Sequence, residues 1–183
     1  MTFFSKLFGN NIDNKTELNF LLNNESFKKF LNETEDISIG YNEINFFKAD
    51  NLENAQIGYS IDEKGKSLIG KNIGDWKKNW IVIATDNLGD PIFVDCGNSS
   101  LPVFTSQHGQ GDWEETYVAI SLDKFIGILK DLKNLSIGRE NPVKIEKNPI
   151  SKKELNSFLE KTKNDNNWMD IEYWEIFLEN DDE

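Results

Sequence analysis

The spacing of apolar positions divides the first third of the chain into short elements. Leu18, Leu21 and Leu22, then Phe27, Phe30 and Leu31, recur at i, i+3 and i+4, one helical face each time, and predict two short helices broken near Asn23 and Asn24. Ile37, Ile39 and Tyr41 alternate ahead of Ile44 and Phe46, which predicts a strand over 37–48 interrupted around Gly40. Residues 50–56 read as one helical turn opened by Asp50, and 58–70 as two strands joined by a turn at Lys64 and Gly65. Ahead of all this, Phe4, Leu7 and Phe8 form a brief helical stripe ending at Gly9, read as an N-terminal extension over 1–10.

The middle of the chain changes period. Residues 80–85 (WIVIAT) form an apolar run, residues 86–90 (DNLGD) supply turn chemistry, and residues 91–95 (PIFVD) follow, the pattern of a β-hairpin. Residues 102–107 and 116–120 predict two further strands around a loop containing Gly109 and Gly111, so the segment reads as an antiparallel meander. From Ser121 the helical period returns, with Leu122, Phe125, Ile126, Leu129 and Leu132 on one face. Asn141-Pro142 and Asn148-Pro149 bracket what reads as an irregular link. Ser151 and Glu154 then have capping-box spacing ahead of Leu155, Phe158 and Leu159, and a last short helix presents Ile171, Trp174, Phe177 and Leu178. The expectation is one α+β domain over 11–183, a largely antiparallel sheet packed against several helices.

Composition narrows what such a domain could bind. A net charge of −12 disfavours nucleic acid and anionic membrane, whose recognition rests on basic contacts. The acidity is local. Residues 31–63 hold eight acids against Lys48 alone, residues 170–183 hold seven acids and no base, and the remainder of the chain is close to neutral. Two readings follow: a solvated surface that keeps the protein soluble, or an acidic surface facing a partner. No stretch suits a membrane span or a secretory signal, and a cytoplasmic protein is expected.

Catalytic and metal templates fit poorly. The chain has one Cys and one His, which excludes an internal disulfide and a zinc site built from nitrogen and sulfur alone. His108 lies near Thr105 and Ser106, but no nucleophile elbow and no orienting acid are evident in the sequence around it. Asp86, Asp90 and Asp95 lack calcium-loop spacing and read as turn and strand-end acids, while Cys96 reads as partly buried filler. Trp76, Trp80 and Trp113 fall near turns, where aromatic rings can wall a pocket or edge a core. No enzyme activity, metal or cofactor is expected.

The order of these pieces carries more than any one alone. Residues 56–60 (QIGYS), 74–84 (GDWKKNWIVIA), 89–95 (GDPIFVD), 102–104 with 108–113 (HGQGDW), and the helix from Ser121 together resemble the SUKH superfamily, named for relatives of a yeast regulator of cell-wall synthesis. The resemblance runs from Gln56 to about Leu132. It implies an α+β fold without catalytic residues and, in bacteria, an immunity role: binding and neutralising a cognate toxin, commonly a nuclease. A regulator or scaffold of cell-wall or glucan synthesis is the alternative it implies.

A nuclease is basic where it meets phosphate, so an inhibitor covering that surface gains from acidic complementarity, above all in association rate. On that basis the partner-binding candidates are Glu43, Asp62 and Glu63 from the first acidic segment and Glu175 and Glu179 from the last. Trp76 and the cluster Asp112, Trp113, Glu114 and Glu115 complete the set.

Overall fold

A strand with one wet face alternates apolar and polar residues, whereas the run from Trp80 to Ala84 is buried throughout, so something must cover each face of the sheet around it. A computed structural model, which describes residues 14–72, 74–167 and 169–179, shows what does. Six strands form one sheet in chain order: β1 (Ile37–Ile39), β2 (Asn42–Phe46), β3 (Trp80–Asp86), β4 (Pro91–Asp95), β5 (Val103–Thr105) and β6 (Thr116–Ala119). Every neighbouring pair is antiparallel. The meander expected over 80–120 is therefore present, with residues 86–90 as the β3–β4 connection.

One face of the sheet presents Ile81, Ile92, Val94, Val103 and Val118 to the main core, which the helices close. These are α1 (Lys15–Asn23), α2 (Glu25–Glu33), α3 (Leu122–Ser136), α4 (Pro142–Lys147), α5 (Lys152–Asp165) and α6 (Glu172–Leu178). The register slips between Val82 and Ala84, so Ile83 and Ala84 both reach that core. The opposite face presents Trp80, Val82, Phe93 and Phe104, covered by Trp76, Tyr59 and Trp113 from the connecting segments.

The caps fall where side-chain chemistry puts them. Asn24 accepts from the Phe27 N–H, Ser121 accepts from the Lys124 N–H, and Ser151 with Glu154 forms a complete capping box. The last helix is pinned by Trp174, which is fully buried and donates its indole N–H to the Val118 carbonyl at 2.8 Å.

Three elements differ from the sequence expectation. The single strand over 37–48 is a hairpin: Gly40 has φ +61, which favours glycine, and Ile37 pairs with Ile44. Residues 58–70 form only isolated bridges (Ile57 with Ile61, Ile61 with Ser67, Ile69 with Trp76) and no continuous strand. The link after Gly138 contains α4, started by the Asn141 side chain with Pro142 in its first turn. The expected extension over 1–10 lies outside the described residues. Among the described residues, no helix is long and apolar enough to cross a membrane.

Candidate functional site

The β3–β4 connection folds around Asp86. Its Oδ1 accepts from the N–H groups of Leu88 at 2.9 Å and Asp90 at 3.0 Å, so the carboxylate stands in for a turn's backbone acceptor. Asp90 extends the network. Its Oδ1 lies 2.7 Å from the backbone N of His108 and 2.6 Å from His108 Nδ1, which ties the loop after β5 to the hairpin. From the other side Asn42, at the β1–β2 turn, donates to the Phe177 carbonyl at 2.9 Å and holds α6 against this end of the sheet.

These pieces enclose a groove of about 490 Å³. Five carboxylates line it, Asp86, Asp90, Asp112, Glu114 and Glu172, and its lining contains no lysine or arginine. Burial, with the neighbouring Asp90 charge added, holds the Asp86 carboxyl above the usual carboxylate range, although three backbone N–H contacts act against that rise. Burial also pushes the Tyr173 phenol well above its ordinary value, and the negative charges of Asp86 and Asp90 push the same way. Thr105 and Tyr173 also line it, and their hydroxyl oxygens are buried without a hydrogen-bond partner. The acids do not converge as metal ligands do, since among the described residues no three His, Cys, Asp or Glu are so grouped.

The sequence-derived candidates scatter around this groove. Asp112 and Glu114 line it, whereas Glu115 turns to Lys77, 2.6 Å away. Trp113 is half-buried and packs on Trp76 and Tyr59 at centroid distances of 5.2 and 5.6 Å. Trp76 itself is only 1% exposed, and its indole donates to the Trp80 carbonyl. It is a core residue and offers no surface to a partner. Asp62 accepts from the N–H groups of Lys64 and Lys66 and shapes its own turn, with exposed Glu63 beside it. Glu43 is exposed on β2, and Glu175 and Glu179 are exposed on and just after α6; none of the three lines the groove.

Sequence reasoning missed Asp86 and Asp90 as members of a shared site, along with Thr105, Glu172 and Tyr173. Two acids bracketing a turn were the only local signal. It likewise found no orienting acid for His108, and Asp90 is that acid. A second groove of about 530 Å³ between α2 and α3 mixes Lys29, Lys130 and Lys133 with Glu33, Glu35 and Asp123, and so has no net preference of sign.

No family model, curated protein or solved structure matches this chain.

Proposed function

We propose that this is a SUKH-like immunity protein that binds a basic toxin, a nuclease by class, and neutralises it by protein–protein contact. The observation that carries the reading is the groove: five carboxylates gathered from the β3–β4 turn, the loop before β6 and α6, with no basic residue in the lining. Such a surface repels phosphate and attracts the phosphate-binding face of a nuclease. The residues from Gln56 to about Leu132 that resemble the superfamily support the same reading.

Co-expression with each toxin-like protein encoded beside its own gene tests it. Growth should be restored in one case, and the purified pair should show stoichiometric loss of nuclease activity. Association should slow steeply as salt rises and the screening length shrinks from about 30 to about 8 Å, with dissociation little changed. Capture of cell-wall synthesis proteins, with no toxin rescued, would overturn the proposal in favour of an envelope regulator.

A further inference from the structure

The groove has more structure than a patch of negative charge, and its details restrict what fills it. Asp86 and Asp90 line it and are only 9% and 7% exposed. A carboxylate oxygen held there without a partner costs about 1–3 kcal/mol, so two at one site point to a ligand that brings donors. Asp86 and Asp90 each commit Oδ1 to the backbone or to His108, and their Oδ2 atoms accept no hydrogen bond from the described residues. The lining also carries exposed apolar side chains: Leu88 and Ile176 are 67% and 59% exposed.

From these observations we infer that the groove seats an arginine side chain presented by the basic partner, an inference that rests on the immunity reading. A guanidinium offers five donors in a plane, enough to meet separated acceptors, whereas an ammonium offers three from one point. It is also the more weakly hydrated cation, so it gives up less on entering a partly buried groove. The three-carbon stem of arginine would lie along Leu88 and Ile176 while the head reaches the acids. A metal ion would instead need the close convergence of ligands that the groove lacks.

The test titrates the full chain with N-acetylarginine amide, with the neutral isostere N-acetylcitrulline amide and with N-acetyllysine amide, following backbone amide resonances. The arginine probe should saturate with a dissociation constant in the millimolar range and shift residues 86–90, 105–108 and 172–177. The lysine probe should bind more weakly and the citrulline probe should leave those resonances unmoved. Glu172→Gln and Asp112→Asn alter exposed acids of the lining, and each should weaken the arginine probe by about 5-fold, while Glu175→Gln, which like Glu172 lies in the first turn of α6 but outside the lining, should not. Equal shifts with citrulline, tighter binding of lysine, or shifts confined to another surface would each overturn the assignment. A toxin neutralised equally well by the Glu172→Gln and Asp112→Asn variants would sink the arginine seat and leave the immunity function standing. Arginine binding in the groove with no toxin rescued would do the reverse.

Discussion

Replacing Gln56 by Met should remove a side chain that acts as a piece of the sheet. β2 ends at Phe46, opposite Ala84, and beyond that point β3 has no strand beside it on this edge. The Gln56 amide takes the vacant place: its Oε1 accepts from the Val82 N–H at 3.0 Å, and its Nε2 donates to the Val82 carbonyl at 2.9 Å and to the Leu52 carbonyl at 2.9 Å. Gln56, Val82 and Leu52 are all fully buried, so no water replaces the lost partner. At about 1–3 kcal/mol for each orphaned group, the two Val82 atoms alone cost about 2–6 kcal/mol, and burying a thioether in place of an amide returns about 1. A net loss of about 3 kcal/mol is a large part of a domain's usual 5–15, and at about 2 kcal/mol per molar it lowers the urea midpoint by about 1.5 M. Equilibrium urea unfolding followed by tryptophan fluorescence measures this directly. A shift under about 0.3 M would show that the backbone near Val82 finds another partner and that the amide is dispensable. Gln56→Glu supplies a control with a sign: the carboxylate still accepts from Val82 N–H but faces two carbonyls, so its deficit should shrink in acid, where a protonated carboxyl regains a donor.

Asp86→Asn keeps the Oδ1 acceptor for the Leu88 and Asp90 N–H groups but removes a charge that burial disfavours. Because the folded chain holds the Asp86 proton more tightly than the unfolded chain, this group favours folding below its ordinary value near 3.8 and that contribution is lost as pH rises through the raised folded value. Thermal melts above that window should therefore show the Asn variant at least as stable as the parent, and a clear fall in melting temperature would refute the assigned cause. Cys96 should resist thiol reagents: burial first, then the charges of Asp95 and Glu17, push its thiol from 9.0 to about 12, so its reaction with a disulfide reagent at pH 8 should run about 1000-fold slower than in the urea-unfolded chain. Arg139, the single arginine of the chain, donates to the carbonyls of Leu135 and Asn148 and to Glu154 Oε1. Lysine cannot span those acceptors from one nitrogen, so Arg139→Lys should cost about 2–3 kcal/mol in urea unfolding, and a change within error would show that the bonds are replaceable.

What was legible in the sequence were elements whose burial repeats locally. The meander announced itself through apolar runs separated by turn residues, and α3 through five positions at helical spacing. The misreadings share a cause in neighbours that sequence cannot place. Tyr59 and Ile61 alternate as a strand would, yet the edge of β3 near them is occupied by the Gln56 side chain, so no ladder forms. In α4 only Ile145 is buried, which leaves no periodicity to find; Asn141 ahead of Pro142 is the helix-start signal, and in sequence the same pair equally marks a boundary. The groove was hidden for the same reason. Asp86, Asp112 and Glu172 are far apart in the chain and share a surface only because Trp174 and Asn42 dock α6 at the end of the sheet.

An unpaired buried oxygen does not by itself mark a site, and Glu17 shows why. Its Oε2 is buried without a hydrogen bond, as are Thr105 Oγ1 and Tyr173 Oη, but its other oxygen lies 3.2 Å from Lys78 Nζ, so the chain answers that charge with its own cation. The groove is different. Asp86, Asp112, Glu114 and Glu172 have no lysine or arginine partner among the described residues, and Asp90 has only His108. Elsewhere the protein pairs acids with its own cations, Glu115 with Lys77, Asp131 with Lys161 and Glu154 with Arg139. Leaving one concave surface without countercharge, with the Oδ2 atoms of two nearly buried carboxylates, Asp86 and Asp90, unpartnered, costs stability that a purely structural surface would have no reason to give up. Small counterions from solvent can screen the carboxylates, but they carry no hydrogen-bond donors for the Oδ2 atoms of Asp86 and Asp90, and a cationic side chain bearing N–H groups answers both demands at once.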